Sequence, residues 1–356
     1  MTLVALGLAE AGLRVRAWIR YGTTNSTLRD PMLTWDENAG LFVPKPGYEI
    51  QGTRYQVKIN SLGFRGDEFA AAKPPRTFRI AVLGASTSFS AEVPNHATWP
   101  HRLQELLQSQ YPAIRIEVVN AAVGGYIAAD NVRNLRHRVV PLSPDLVIYY
   151  EANNEVVHDT QQLAETRGLI RPGENKQGPV GQTLSKVSLL FDLVYKNLAI
   201  ARGGKDSAGR IDAVPPELPQ HFIGEIDEMR VMLRERDVPL LLSTFIVKYR
   251  HDQDRAMQVA NADVAFYYMP WMTMEGMLSA MDVYNQAILD YAGAHDVPVV
   301  DERNVIPADG NHFVDCMHLS VAGNEAMAQR FNRFIQANAA RLGLGSARPE
   351  ASSSSR

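Results

Sequence analysis

Two short segments of the chain carry residues whose types and spacing can do nucleophilic chemistry. The first, residues 78–90 (FRIAVLGASTSFS), is an apolar run that breaks at Gly84 into hydroxyl residues. A serine directly beyond a buried parallel strand, here Ser86, sits at the mouth of an open α/β sheet, where ligands bind. The same Ser/Thr cluster fits a helix cap, so this segment alone leaves both readings open. The second, Asp315-Cys316-Met317-His318, puts a carboxylate and an imidazole three residues apart on a turn. An aspartate so placed accepts from the imidazole Nδ1–H and leaves Nε2 free to take a proton from a serine. Cys316, wedged between them, is expected to point to the opposite side. His312 is close enough in sequence to support the site, whereas His96, His101, His137 and His158 read as surface or structural residues.

The elements that must bring these segments together follow from hydrophobic patterning. Residues 78–83, 114–119, 145–150, 238–246 and 297–300 read as five strands, the first three ending in small or polar residues. Helical spacing covers 99–111, 128–140, 217–236, 283–295 and 321–342. Strand–helix alternation implies right-handed crossovers and a parallel sheet. The expected fold is therefore a three-layer α/β/α domain with a five-stranded parallel sheet, with Ser86 and the Asp315–His318 turn at the same end. Around this domain, 76–342, lie a small β/turn extension (31–75), insertions at about 159–219 and 250–281, and a tail (343–356) of disordered composition. The Met- and aromatic-rich stretch 266–281 reads first as helix packing and second as an acyl pocket.

Composition excludes several classes. The chain has 356 residues, 46% of them hydrophobic, enough to bury a large core. A net charge of -3 with scattered basic residues argues against a nucleic-acid partner. One cysteine and no Cys/His cluster at zinc spacing leave no structural metal or cofactor expected. Residues 1–30 begin with an apolar run, but Glu10, Arg14, Arg16 and Arg20 interrupt it before a membrane span is complete. This segment is either the remnant of a membrane anchor, placing the catalytic domain on the periplasmic side of the cell envelope, or an amphipathic helix of a cytoplasmic protein. No feature fixes the oligomeric state.

In four blocks the chain resembles the SGNH, or GDSL-like, hydrolase family over most of 76–342. GASTSFS is similar to the first block with Ser86 as nucleophile, and VVNAAVGGY to the second with Gly125 as its glycine. YYEANNE resembles the third block, GxND or GxNE, and DCMHLSVAGNE the fifth, with Asp315 and His318. INSLGFRGDEF resembles a segment found upstream in membrane-anchored bacterial members. Departures from the pattern are Ala85, Ser88, Ser90, Ala152 and Glu155. The resemblance implies a flavodoxin-like fold and a metal-free serine esterase. Its triad would be Ser86, His318 and Asp315. Its oxyanion hole would use the Ser86 and Gly125 backbone N–H groups and the Asn154 amide. Asn154 is preferred to Asn153, because the latter would set Glu151 at the glycine position, where its charge would repel the oxyanion. The implied substrate is an O-acyl ester, such as an O-acetyl group on a cell-envelope carbohydrate. Rival readings are a lipase or lysophospholipase and a catalytically silent carbohydrate-binding protein.

Overall fold

The computed structural model describes residues 2–21, 32–53, 55–171, 184, 187–202 and 209–344. Residues 345–356 of the expected tail, and parts of the 1–30 segment and the 159–219 insertion, lie outside the described residues. The chain opens with helix α1 (Thr2–Tyr21). Four short strands follow, β1 (Leu33–Asp36), β2 (Leu41–Pro44), β3 (Glu49–Gln51) and β4 (Gln56–Lys58), paired as two antiparallel ladders. Next come β5 (Thr77–Gly84), the one-turn helix α2 (Ser86–Phe89), α3 (Trp99–Gln110), β6 (Arg115–Asn120), α4 (Ala128–Asn134) and β7 (Leu146–Tyr150). Helices α5 (Asn153–Thr166), α6 (Leu189–Arg202) and α7 (Gln220–Arg234) lead to β8 (Leu240–Ser243). The chain closes with α8 (Arg255–Asn261), α9 (Asp263–Tyr268), α10 (Met274–His295), β9 (Val299–Val300) and α11 (Val321–Ala337).

Strands β5 to β9 form one parallel sheet in the order β6-β5-β7-β8-β9. Successive strand residues face opposite sides, so Tyr149 and Tyr150 at the end of β7 report what covers each face. Tyr149 meets Phe222 of α7 at 6.4 Å between ring centroids, and Phe222 meets Tyr284 of α10 at 5.6 Å. Tyr150 meets Trp99 of α3 at 6.4 Å, and Trp99 stacks on Phe331 of α11 at 4.8 Å. With helices on both faces the domain is the three-layer α/β/α sandwich that the strand–helix alternation requires. The Met/aromatic stretch belongs to its core: Phe266, Met269, Met272, Met274 and Met277 are all buried.

Several elements differ from their expected extents, among them the last helix, which ends at Ala337, and the last strand, which is only Val299–Val300; three others have a visible cause. The helix expected over 128–140 stops at Asn134, widens into a π turn (Leu135–Val139) and tightens into a 3-10 turn around Pro141, which has no N–H to continue an α-helix. Strand β8 ends at Ser243, because the Phe245 N–H is taken by Asn285 Oδ1 at 2.7 Å and its carbonyl by Asn285 Nδ2 at 3.0 Å. Helix α10 begins nine residues before 283, where the Thr273 hydroxyl caps the Gly276 N–H at 3.0 Å. Gly276, inside this helix, admits the Ile211 carbonyl, which a Cβ would strike.

The edge of the sheet is fastened to the linker before β5 by one buried cation. Arg79 is fully buried and pairs with Glu117 of β6 at 2.7 Å. Its remaining donors go to the carbonyls of Ala70 (2.7 Å), Ala71 (3.0 Å) and Leu142 (2.6 Å). Without Arg79, Glu117 keeps only the exposed Arg115 at 2.8 Å, and breaking a buried pair costs at most about 3–5 kcal/mol. Arg79→Ala is accordingly expected to lose stability of that order, read as a lower denaturation midpoint with an unchanged slope in urea.

Candidate active site

Strand β5 ends where its backbone runs against its neighbour. Gly84 has φ +152°, and a Cβ there would strike the Tyr150 carbonyl and lie 2.8 Å from Ser88 Oγ, so only glycine fits this turn. Asn131 of α4 accepts from the Gly84 N–H at 3.0 Å and fixes the turn. Ser86 then starts α2 at the carboxyl edge of the sheet, with Ala85 buried beneath it.

The second segment arrives from the far end of the chain. The turn carrying Asp315 and His318 is closed by the Val314 N–H donating to the His318 carbonyl at 2.8 Å and by a bridge between Phe313 and Leu319. Asp315 Oδ1 accepts from the N–H groups of Met317 (2.9 Å) and His318 (2.8 Å), which leaves Oδ2 for the His318 ring at Nδ1, 2.7 Å away. His318 Nε2 lies 2.9 Å from Ser86 Oγ. Three residues, two of them 232 positions apart, therefore form one hydrogen-bonded chain. Cys316 is fully buried, and burial pushes its thiol well above the usual range. His312 pairs instead with Asp309 at 2.8 Å.

The residues expected to hold an oxyanion are tied to one loop, residues 124–126, which passes Ser86 at Gly124. Gly125 adopts φ +85°, and a Cβ built on its neighbour Gly124 would sit 4.0 Å from Ser86 Cβ. The Asn154 amide donates to the Tyr126 carbonyl at 2.9 Å, on the same loop, and an amide nitrogen keeps a second hydrogen to offer. Asn153 is buried, and its Oδ1 has no partner. Glu151 Oε1 accepts from the Asn154 N–H at 2.6 Å and so orients the first turn of α5.

Three further residues shape the site and were not singled out by sequence. Asn324 of α11 is fully buried and accepts from Ser90 Oγ (3.0 Å) and the Trp99 N–H (2.9 Å). Arg65, from the INSLGFRGDEF segment, is 4% exposed and donates to the carbonyls of Phe89 and Val93 and to Asn95 Oδ1 (3.1 Å), so the β extension holds the loop that follows the serine. Glu92, on that loop, has a buried Oε2 without a hydrogen-bond partner. The one visible signal was a polar residue in an apolar helical stripe, for Asn324; nothing local marks the other two.

Electrostatics at the imidazole follow from these neighbours. Burial alone would lower the His318 pKa, but the carboxylates of Glu92, Asp315 and Glu151 and the hydrogen bond to Asp315 outweigh it and push it up to about 9. Asp315, although burial would raise it, is held at about 2 by His318 and two backbone N–H donors. Burial raises Glu151 to about 8 against the opposing pull of its N–H donors and His318. On metal binding, Glu155, His158 and Asp159 bring three ligand atoms within 4.8 Å of one another. Glu155 already accepts from the Ala128 N–H, and Asp159 from the Tyr284 hydroxyl.

The profile of the GDSL-like Lipase/Acylhydrolase family matches residues 82–326, and the chain belongs to that family. Its members are carboxylic ester hydrolases, as is this protein. Among solved structures it is similar to an α/β-hydrolase enzyme from the metagenome of Lake Arreo, Spain, at 15% identity and a TM-score of 0.45, over 75% of this chain and 95% of that one. An acetyl xylan esterase from Geobacillus stearothermophilus matches at 15% identity and a TM-score of 0.43, over 75% and 97% of the two chains. A GDSL-like lipase from Bacteroides thetaiotaomicron matches at 12% identity and 0.41, over 73% and 88%. No curated protein matches the chain.

A base must be neutral to accept a proton, and with a pKa of about 9 only about one His318 in a hundred is neutral at pH 7. With His318 as the base, ester hydrolysis should therefore rise about tenfold per pH unit below pH 9 and level off near it. Glu92→Gln removes a charge that raises His318, so the inflection should move to lower pH. An unmoved inflection in kcat/KM for this variant would assign the raised value to Asp315 and Glu151 alone.

Proposed function

We propose that the protein is a serine esterase that cleaves an O-acyl ester through Ser86, His318 and Asp315. The observation that carries this reading is the continuous hydrogen-bonded chain from Asp315 Oδ2 through the imidazole to Ser86 Oγ, at 2.7 and 2.9 Å. In the reading, Ser86 Oγ attacks the ester carbonyl as His318 Nε2 takes its proton, and Asp315 keeps Nδ1–H oriented and balances the imidazolium. The oxyanion would be held by the N–H groups of Ser86 and Gly125 and by Asn154 Nδ2. The imidazolium then protonates the leaving alcohol, and a water attacks the acyl-enzyme with His318 again as base.

For the substrate we propose a short acyl group, acetyl on an envelope carbohydrate being the form the reading takes. Support comes from the Met/aromatic stretch: Met269, Met272, Met274 and Met277 are each no more than 1% exposed and spent on packing, which leaves Tyr268, 42% exposed, as its large side chain open to a ligand. Among p-nitrophenyl esters the acetate should turn over faster than long-chain homologues, with acetate released from acetylated glycans. Faster cleavage of long-chain esters or of lysophospholipids would replace this substrate with a lipid one.

Support for Asn154 over Asn153 comes from its contact with the loop that passes Ser86, whereas Asn153 is buried. Asn154→Ala should lower kcat by about a hundred- to a thousand-fold, the loss of one oxyanion donor, with little change in stability. Asn153→Ala should leave kcat far less affected. A side-by-side kcat measurement with the reverse ranking would move the donor to Asn153.

A further inference from the structure

Helix α1 keeps a stripe of large apolar side chains pointed away from the protein. Val4 is 67% exposed, Leu8 70%, Val15 57% and Trp18 62%, and Ile19 is also exposed. Spaced by three and four residues, they fall on one face along about 22 Å of helix. On the opposite face Leu6 is also exposed, Glu10 and Leu13 are half-buried and Ala17 is buried, so that face is covered only from about Glu10 onward. Beside α1 lies α6, which exposes Leu193, Val194 and Leu198, with Val187 just before it. No described helix is long and apolar enough to cross a membrane.

The charges that break the apolar run of α1 have a use that separates this face from an ordinary packing surface. Glu10, the only acidic residue in α1, turns inward and accepts from the N–H groups of Leu189 (3.0 Å) and Leu190 (2.9 Å) and from Ser188 Oγ (3.0 Å). It thereby caps the start of α6. Arg14 pairs with Glu10 at 2.8 Å and donates to the Val187 carbonyl at 2.7 Å. The two helices are thus clasped with their apolar residues outward. With Glu10 and Arg14 neutralising each other inside the clasp, the charge left beside the α1 stripe is the cation of Arg16.

We propose that the clasped α1–α6 pair is a docking face for a lipid bilayer bearing anionic headgroups, lying on the surface and not crossing it. A stripe of aliphatic residues and a tryptophan beside Arg16 matches the acyl–headgroup boundary, where the apolar side chains enter and the arginine stays with phosphate. The face lies on the flank of the site: α6 packs on α9, and Tyr268 at the end of α9 is within electrostatic reach of both Asp192 of α6 and Asp315. Docking would hold the catalytic mouth near a membrane surface. The proposal does not depend on the esterase reading, since binding is measured without turnover.

Flotation of the whole chain with vesicles of phosphatidylcholine alone, and of phosphatidylcholine mixed with phosphatidylglycerol, tests it. The protein should float with the mixed vesicles, float less with the neutral ones, and be partly released by salt. Leu8→Glu combined with Val15→Glu should lower the bound fraction about tenfold at an unchanged melting temperature, because both residues are exposed. Arg16→Glu should remove only the preference for anionic vesicles. Absence of flotation in lipid excess, or equal flotation of the double variant, overturns the proposal. So does a concentration-dependent dimer that the double variant abolishes while no vesicle binds, which would assign the face to a second copy of the chain.

Discussion

The side-chain amide of Asn324 joins the parts of the chain that must meet if Ser86 and His318 are to touch. Its Oδ1 accepts from Ser90, on the segment after the serine, and from the first residue of α3. Its Nδ2 donates to the carbonyls of Leu319 (3.2 Å) and Ser320 (2.9 Å), directly after His318. All four hydrogen-bonding positions of the amide are used, in a place where an unmet one would be costly. A parallel sheet leads Ser86 and His318 to the same edge, but to loops that have no backbone ladder between them. Asn324 supplies that connection from inside the core, and Arg65 adds a second from the β extension.

Held in this way, the imidazole sits among more negative charge than one aspartate provides. Glu92 and Asp315 favour the protonated ring, and Glu151 adds to them where it is itself ionised, above about pH 8. Such a site stabilises the imidazolium formed when a serine is deprotonated, at the cost of a small neutral fraction in the resting state. Glu92 is thus tied to the balance between the two forms, and it lies on a loop that the β extension holds through Arg65.

The strands that place the site were readable because a buried parallel strand is a short continuous apolar run, as in residues 80–83 and 146–150. Ser86, Asp315 and His318 were readable for a related reason: each lies on a turn directly at a sheet or helix end, where local chemistry leaves its mark. What remained hidden depends on distant partners. Nothing near Asn285 in sequence reveals that it ends β8, and Gly276 discloses its purpose only when Ile211 lies against it. Glu10 looked like an interruption of an apolar helix, yet it caps a helix about 180 residues away. Glu92 and Arg65 were invisible as parts of the site because their roles exist only once the extension is folded onto the loop.

The central claim is that Ser86 is a nucleophile made reactive by His318. Reaction with a fluorophosphonate, followed by peptide mapping in the mass spectrometer, tests it most directly, because the reagent forms a stable adduct only on an activated hydroxyl. The account predicts one adduct, on Ser86, and its loss in His318→Ala while the fold is kept. No adduct on the folded protein, or one on Ser88 or Ser90 in place of Ser86, would contradict it.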